Sequence, residues 1–252
     1  MTALPKYIEK GENMNTVKFN KGKTKVIAHR GLSGIETENT VSAFVASGNR
    51  SYYGIETDVH KTADGKFVIG HDDDLKRIAG VDMRLEDSTL EELQEIILFD
   101  KDGTKNRLDL RLCTLENYIS ICKKYEKQSV LELKSDFTTE EIGQIVEIIK
   151  GYDYLDNVTF ISFNYENLKK VRQLLPNQPA QYLFWKVEPS IIEMLKQDNI
   201  DVDVRYVELT KEDIDSLHKA GLTVNCWTVD SPTDAERLAE WGIDYITSNI
   251  LE

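Results

Sequence analysis

Short apolar runs rich in β-branched residues alternate with longer segments that carry apolar residues at helical spacing, along nearly the whole chain. This alternation is typical of parallel strands joined by crossover helices. It predicts eight strands, over residues 25–28, 54–59, 129–133, 158–163, 180–184, 200–205, 222–229 and 243–247. Eight strand–helix units in about 230 residues predict an α/β fold with the architecture of a (β/α)8 TIM barrel.

Capping residues predict where several helices begin. A Ser or Thr whose side chain accepts a hydrogen bond from a free N–H, with an acid three residues later, marks a helix start. The pairs are Ser88 with Glu91, Thr138 with Glu141, Thr210 with Asp213, and Ser231 with Asp234, the last with Pro232 at the first helical position. Helix ends are predicted at the glycines that follow helical stretches, Gly151, Gly221 and Gly242.

The domain organisation follows from the continuity of this pattern. No proline-rich, serine-rich or low-complexity linker interrupts it, so we predict a single TIM-barrel domain over residues 25–252, preceded by an N-terminal extension, residues 1–24. A short hairpin is predicted at 66–70, and the segment after it is too long for one crossover helix. We therefore predict a small insertion after the second strand, at about residues 66–112, that lies at the barrel mouth.

Charge and hydropathy exclude several classes of function. The 252 residues include 44 Asp and Glu against 31 Lys and Arg, a formal net charge of −13. Such a surface repels a polyphosphate backbone, so nucleic acid is not an expected partner. No stretch approaches the ~18 consecutive apolar residues of a membrane-spanning helix, and residues 1–25 lack the pattern of a signal peptide. We expect a cytoplasmic protein without stable membrane insertion.

The cysteines carry no sign of a disulfide framework or a zinc site. Cys113, Cys122 and Cys226 are odd in number and have no CxxC spacing. We expect three buried free thiols.

Acidic residues fall on the predicted interior of the barrel. Side chains two apart in a strand share a face, so Glu56 and Asp58 point the same way from the second strand. Glu132 and Lys134 do the same from the third strand. The residues on the opposite faces of these strands, Ile55, Thr57, Val59, Leu131 and Leu133, are expected to face the helices. Three acids are therefore expected inside the barrel, close to one another.

Three buried carboxylates require a compensating positive charge, since each unpaired buried ion costs several kcal/mol. A divalent cation supplies it, and all-oxygen ligation favours Mg²⁺, Ca²⁺ or Mn²⁺ over Zn²⁺. The alternative is purely structural: Glu56, Asp58 and Glu132 form salt bridges with Arg30 and Lys134.

Two of the four histidines stand where barrel enzymes place their chemistry, at the carboxyl ends of strands. His29 ends the first strand beside Arg30. His71 follows the predicted hairpin beside Asp72. A charged neighbour is the environment that tunes a proton-transfer group. His60 and His218 fit structural roles instead.

An ordered set of motifs spans most of the chain. It comprises AHRG (28–31), ENTVSAF (38–44), GIETDVHKTADGKFVIGHD (54–72), LELK (131–134), SF (162–163) and WTV (227–229). HRG alone is weak, but HRG followed by ENT, ExD, TxDG and HD at this spacing is specific. In these motifs the chain resembles the glycerophosphodiester phosphodiesterases.

The resemblance implies a barrel that hydrolyses a glycerophosphodiester, a small-molecule substrate, to glycerol 3-phosphate and an alcohol, with one divalent cation, Mg²⁺ or Ca²⁺. It also implies roles for individual residues. These are Glu56, Asp58 and Glu132 as metal ligands, His29 and His71 as the catalytic acid/base pair, Arg30 and Lys134 as phosphate-binding residues, and Phe163 and Trp227 as the substrate pocket.

These residue types suit the chemistry independently of the resemblance. The non-bridging oxygens of a phosphodiester gain negative charge as phosphorus becomes pentacoordinate, and a cation, Arg30 and Lys134 stabilise that change. One histidine accepts a proton from the attacking hydroxyl, and the other donates one to the leaving alkoxide. The residues leave open which histidine is the base, and whether water or the glycerol C2 hydroxyl attacks.

Three departures from the family pattern concern the rim. Thr37 replaces a proline before the ENT motif, Asp230 replaces an asparagine after WTV, and residues 247–250 (TSNI) lack the usual aspartate. They bear on head-group preference rather than on the metal, histidine or phosphate positions. Asn39 and Thr40 are predicted to cap the first helix rather than to react.

Two alternative functions are considered. Cleavage of larger lipid diesters, as by a lysophospholipase D, needs an apolar groove, for which the insertion offers Ile78, Met83, Ile97, Leu98 and Phe99. A non-catalytic glycerophosphodiester-binding barrel is the other. Binding alone does not require a pair of proton-transfer groups, so the two histidines favour catalysis.

Overall fold

A computed structural model of the protein describes residues 15–252. Within them every predicted strand forms, in the predicted order. The strands are β1 (Lys25–Ala28), β2 (Gly54–Lys61), β3 (Phe67–Ile69), β4 (Gln128–Leu133), β5 (Val158–Ser162), β6 (Ala180–Phe184), β7 (Asp201–Arg205), β8 (Val224–Trp227) and β9 (Tyr245–Ser248).

Eight of these strands close into a parallel barrel. They pair in the order β1, β2, β4, β5, β6, β7, β8 and β9, and β9 pairs back onto β1. This confirms the predicted (β/α)8 barrel. Strand ends differ from prediction by one or two residues: the second strand continues to Lys61, and the strand predicted over 222–229 is limited to Val224–Trp227.

Helices follow the barrel strands and pack against their outer faces. Thr138, Thr210 and Ser231 cap their helices as predicted, each accepting a hydrogen bond from the N–H three residues on. The helices are α1 (Val41–Gly48), α2 (Lys76–Ala79), α3 (Leu90–Gln94), α4 (Leu115–Lys124), α5 (Thr139–Gly151), α6 (Tyr165–Leu174), α7 (Pro189–Asp198), α8 (Lys211–Lys219) and α9 (Pro232–Glu240).

The cap predicted at Ser88 is wrong by one residue. Thr89 caps α3, and Glu92 returns the hydrogen bond to its backbone N–H. The sequence Ser-Thr-Leu-Glu-Glu contains two overlapping capping patterns, and the pattern alone does not choose between them. In the structure the Ser88 hydroxyl donates a hydrogen bond to the Arg84 carbonyl, and Ser88 does not cap the helix.

Two of the three predicted glycine stops are confirmed. Gly221 and Gly242 adopt φ of +83° and +86° just after α8 and α9, a conformation that glycine tolerates best. Gly151 is instead the last helical residue of α5, and the left-handed position falls on Asp153.

The insertion begins with β3, which pairs antiparallel with β2 through Val59 and Ile69. After β3 the chain forms α2 and α3 before it reaches α4. These segments bury an apolar cluster of their own, separate from the clusters between barrel and helices. Its fully or nearly fully buried members are Val68, Leu75, Ala79, Leu85, Leu93, Leu98, Leu110 and Leu112.

The two ends of the described chain meet. Val17 pairs with Leu251, and the Glu252 carboxylate accepts a hydrogen bond from Thr16 (2.6 Å) and pairs with Lys18 (2.9 Å). Residues 1–14 of the predicted N-terminal extension lie outside the described residues. Within the described part of the chain, the three cysteines are buried free thiols, as predicted. None of the helices in residues 15–252 combines the length and apolar character needed to cross a membrane.

Candidate active site

Three carboxylates meet inside the barrel mouth, as the strand periodicity predicts. Glu56 and Asp58 extend from β2, and Glu132 extends from the adjacent β4, where it pairs in register with Asp58. One oxygen from each lies within 4.8 Å of the others. All three side chains are buried, with 3%, 1% and 7% of their surfaces exposed. This is the spacing that a single cation between them requires.

The three acids do not share the same protonation behaviour. Burial and the charge of Asp58 raise the pKa of Glu56 well above its ordinary value and the pKa of Glu132 to about 8. Burial also disfavours ionisation of Asp58, but Arg30, His71 and Lys134 outweigh it and hold the pKa of Asp58 below its ordinary value. Without a cation, Asp58 is therefore the ionised member of the trio.

Two basic side chains border the acids. Arg30 Nε lies 3.6 Å from Asp58 Oδ2, and Lys134 Nζ lies 3.2 Å from Glu132 and 3.8 Å from Asp58. The salt bridges of the structural alternative are thus present. They leave the trio incompletely satisfied, because within residues 15–252 neither Asp58 Oδ1 nor Arg30 Nε has a hydrogen-bond partner.

His29 follows β1 and faces the acids with one edge of its ring. Its Nε2 lies 4.0 Å from Glu56, and its Nδ1 lies 2.7 Å from Asn249 Oδ1. Because the Asn249 amide donates to the Asp230 carboxylate, its oxygen is the acceptor toward His29. Nδ1 then carries the hydrogen, and Nε2 is left bare. Burial, together with Arg30, lowers the pKa of His29 to about 4.

His71 follows β3 and is held by a carboxylate instead of an amide. Its Nδ1 lies 2.6 Å from Asp72 Oδ1. Burial lowers the pKa of His71, while Asp58 and Asp72 act in the opposite direction. The structure therefore brings together all seven residues that were predicted as metal-binding, phosphate-binding or catalytic, at the carboxyl ends of β1 to β4.

The expectation that Asn39 and Thr40 both cap α1 is half right. Thr40 is the cap and accepts a hydrogen bond from Ala43. Asn39 instead adopts φ +58°, a left-handed conformation that asparagine tolerates, and this turns its side chain toward the acids. Its amide donates to Asp58 Oδ2 at 2.8 Å and accepts from Thr57 at 2.8 Å. Asn39 thus orients Asp58.

Two of the three departures from the family pattern, Asp230 and residues 247–250, contact each other next to His29. Asp230 accepts hydrogen bonds from the Ser248 hydroxyl and from both the backbone and the amide of Asn249. Asn249 in turn contacts His29. These residues therefore support a candidate catalytic group, and the expectation that they concern only the rim is too narrow. The third departure, Thr37, lies in the segment between β1 and α1. Its hydroxyl donates a hydrogen bond to the carbonyl of Phe99 in the insertion, at 2.9 Å.

Aromatic side chains occupy the other half of the mouth. Phe163 follows β5, and Trp227 ends β8, with ring centroids 5.5 Å apart. Trp185, which follows β6 and was not predicted, packs against both at 5.7 and 5.2 Å. Phe163 is 38% exposed and Trp185 is 59% exposed. Trp185 lies directly after a predicted strand, and this position could have identified it from the sequence.

Of the remaining histidines, His218 lies apart from this chemistry and His60 borders it. His218 Nε2 is 2.8 Å from Asp244, in the last turn of α8. His60 is buried on the same face of β2 as Asp58, 3.5 Å from the backbone carbonyl of His71. The insertion provides little of the predicted apolar groove, since Ile78, Met83 and Leu98 pack into its own cluster.

Comparison with known proteins gives one consistent family. A profile of the glycerophosphoryl diester phosphodiesterase family matches residues 29–251. The glycerophosphodiester phosphodiesterase of Caldanaerobacter subterraneus subsp. tengcongensis is 30% identical over 233 residues, which cover 90% of this chain and 94% of that protein.

Solved structures agree. An Oleispira antarctica phosphodiesterase in complex with the product sn-glycerol-3-phosphate matches with a TM-score of 0.84 and 26% identity, covering 93% of this chain and 96% of that one. A glycerophosphodiester phosphodiesterase from Thermotoga maritima matches with a TM-score of 0.72 and 27% identity, over 90% of this chain and 94% of that one.

Proposed function

The chain belongs to the glycerophosphoryl diester phosphodiesterase family and is an enzyme of that class, and from this premise we propose that it hydrolyses glycerophosphodiesters to glycerol 3-phosphate and an alcohol, using a divalent cation and two histidines. The observation that carries the proposal is the meeting of the carboxylate trio, Arg30, Lys134 and the two imidazoles at one mouth. The sn-glycerol-3-phosphate bound by the Oleispira antarctica relative supports the product. We further propose that residues 25–252, with the insertion at about 66–112, form one catalytic domain, in the cytoplasm.

Glu56, Asp58 and Glu132 are the residues that would hold the cation. They fit one because their oxygens converge, and because Asp58 Oδ1 is buried without a hydrogen-bond partner in the described chain. An all-carboxylate set suits Mg²⁺ and Ca²⁺ alike. When bound, the cation would stabilise the negative charge that develops on the phosphate oxygens.

Arg30 and Lys134 bind the phosphate in this proposal. Both are less than one-fifth exposed, so their attraction for an anion is only weakly screened. The Arg30 guanidinium offers donors in a planar fork, and its Nε is still free to donate. Their charges hold the diester in line with the two histidines.

We assign His29 as the base and His71 as the acid. The Nε2 of His29 carries no hydrogen and can accept the proton of the attacking hydroxyl, and the lowered pKa of the ring leaves it unprotonated at neutral pH. The Asp72 carboxylate opposes the lowering of the His71 pKa by burial, and this contact favours His71 as the group that donates a proton to the leaving alkoxide. Phe163, Trp227 and Trp185 line the space for a substituent of the phosphate.

The direct test is an assay of glycerophosphocholine and glycerophosphoethanolamine, read by the release of glycerol 3-phosphate. We expect turnover that EDTA abolishes and that Mg²⁺ or Ca²⁺ restores. Undiminished turnover after rigorous metal removal would refute the cation, and absence of glycerol 3-phosphate with either metal would refute the proposed reaction.

Cation binding should also depend on pH, independently of activity. The pKa of Glu132 is raised to about 8, so the cation-free folded state retains a proton that the unfolded chain releases near pH 4. That stabilisation is complete at low pH and is lost as pH rises toward 8. Cation and proton compete for the same oxygens. In thermal denaturation, we expect saturating cation to raise the melting temperature by about 5 °C or more at pH 8 and about 2 °C or less at pH 5. An equal shift at both pH values would contradict this.

A second candidate, cleavage of larger lipid diesters, is favoured by one observation, the exposed rings of Phe163 and Trp185 at the mouth. An acyl chain could cover them. The comparison of lysophosphatidylcholine with glycerophosphocholine decides between the two. We expect the deacylated substrate to have the higher kcat/KM, because the insertion residues that would extend an apolar groove are packed in their own cluster.

A further inference from the structure

One side chain of the insertion makes contact with both sides of the candidate site. Arg77, on α2, donates from Nε to Asp72 Oδ2 at 2.6 Å. From its other two nitrogens it donates to both oxygens of Glu38, at 2.8 and 2.7 Å. All three nitrogens of the guanidinium are thus used, in a geometry that only arginine provides.

Each of these two carboxylates continues to a group that the proposed reaction uses. The second oxygen of Asp72 lies 2.6 Å from His71 Nδ1. Glu38 Oε1, which accepts from Arg77, also accepts from Arg30 Nη1 at 2.9 Å. The chain of contacts therefore runs from His71 through Asp72, Arg77 and Glu38 to Arg30.

We propose that Arg77 is a positioning residue for the phosphodiesterase reaction, which fixes the ring of His71 and the guanidinium of Arg30 relative to each other. This inference rests on the proposed function. Arg77 touches neither the acids of the trio nor the space between them, and it acts only through Asp72 and Glu38.

Electrostatics explains why position 77 needs a positively charged side chain. Glu38 is 19% exposed and Asp72 is 29% exposed, and both turn toward the Arg77 guanidinium. Burial disfavours ionisation of Glu38, but Arg77 and Arg30 lower its pKa to about 2, so it is charged at any working pH. Without Arg77, two carboxylates would face each other and repel, and Asp72 would lose the contact that orients it toward His71.

The residues around Arg77 in the chain are anchored in the insertion. Leu75, which caps α2, and Ala79, which ends it, are buried in the cluster of the insertion with 0% and 1% exposure. The carbonyl of Ile78 accepts a hydrogen bond from Phe99 at 2.8 Å. The insertion therefore has a role in catalysis under this proposal, since it carries Arg77 to the mouth on a short, anchored helix.

The test compares Arg77→Ala and Arg77→Lys with Arg84→Ala. Arg84 is a matched control, because it is another half-exposed arginine of the insertion and its ion pairs are with Asp73 and Asp87. A misplaced catalytic group costs up to about 10²-fold in rate. We expect Arg77→Ala to lower kcat for glycerophosphocholine about 10- to 100-fold, Arg77→Lys to lower it less, and Arg84→Ala to stay within about twofold of wild type.

A mutant cycle over Arg77, Asp72 and Glu38 separates positioning from a merely structural role. If Arg77 acts only through Asp72 and Glu38, then Arg77→Ala should lower kcat at most about threefold further when Asp72 and Glu38 are already alanine. We also expect added guanidinium to restore part of the activity of Arg77→Ala and none of that of Asp72→Ala. Wild-type kcat in Arg77→Ala, or an undiminished further loss from Arg77→Ala when Asp72 and Glu38 are already alanine, would overturn the proposal.

The same assays show which proposal has failed. If the wild type releases no glycerol 3-phosphate with either cation, the proposed function fails. If the wild type is active and His71→Ala is slow, while Arg77→Ala keeps the wild-type kcat, only the role of Arg77 fails.

Discussion

Replacing His71 with alanine is expected to lower kcat for glycerophosphocholine about 10²- to 10⁴-fold, the usual contribution of a positioned general acid. His29→Ala is expected to cause a loss of similar size, because it removes the proposed base. Neither change should unfold the protein, since both rings are partly exposed at the mouth, at 32% and 16%. Circular dichroism and thermal denaturation check this point.

The two histidine variants should differ once the leaving group needs no proton. With glycerophospho-p-nitrophenol, whose phenolate leaves unprotonated, His71→Ala should recover most of the lost rate, whereas His29→Ala should remain slow. The control is His218→Ala, since His218 pairs with Asp244 at the end of α8 and should be dispensable for turnover. Recovery of His29→Ala instead would reverse the two assignments, and near-wild-type rates in both variants would remove them.

The second large effect is expected for Asp58→Asn, with a loss of about 10³-fold or more. A bound cation contributes several kcal/mol of charge stabilisation in the transition state. Asp58 is the trio member whose pKa is held low, and it also faces Arg30 and Lys134. The neutral amide keeps the shape of the side chain but removes the charge that attracts the cation. We expect the cation-induced rise in melting temperature to disappear together with the activity.

Asp203→Asn is the matched control for this substitution. Asp203 is another buried acid of the barrel, 2% exposed, and it lies outside the trio. Burial raises the pKa of Asp203 well above its ordinary value, which favours its neutral form, so an amide replaces it with little change in charge. Its variant should keep the cation-induced shift in melting temperature and a rate within about threefold of wild type. Loss of the shift in Asp203→Asn but not in Asp58→Asn would place the cation elsewhere.

The barrel was predictable because its strands are buried on both faces and therefore stand out as short apolar runs between amphipathic helices. The exact start of α3 was not. Ser88 and Thr89 satisfy the capping pattern equally well, but in the structure Thr89 caps the helix and Ser88 donates to the Arg84 carbonyl. The prediction that Gly151 stops α5 was also wrong. The helix includes Gly151 and is capped at Tyr152.

The site was predictable wherever its residues lie on one strand. The period of two in a strand places Glu56 and Asp58 on one face without any knowledge of the rest of the fold. Residues that are distant in sequence but adjacent in the fold show no such periodic pattern. Asn249 contacts His29 from 220 positions away, and Arg77 reaches Glu38 across 39 positions from within an insertion whose path the pattern does not define.

The most direct measurement is a crystal structure of the protein with Mn²⁺ and glycerol 3-phosphate, with anomalous diffraction to locate the metal. We expect one anomalous peak between Glu56, Asp58 and Glu132, phosphate oxygens within hydrogen-bond distance of Arg30 and Lys134, and both imidazole rings directed at the phosphate. A protein that turns over with Mn²⁺ but shows no peak among these carboxylates, or whose imidazole rings face away from the phosphate, would contradict the proposed site.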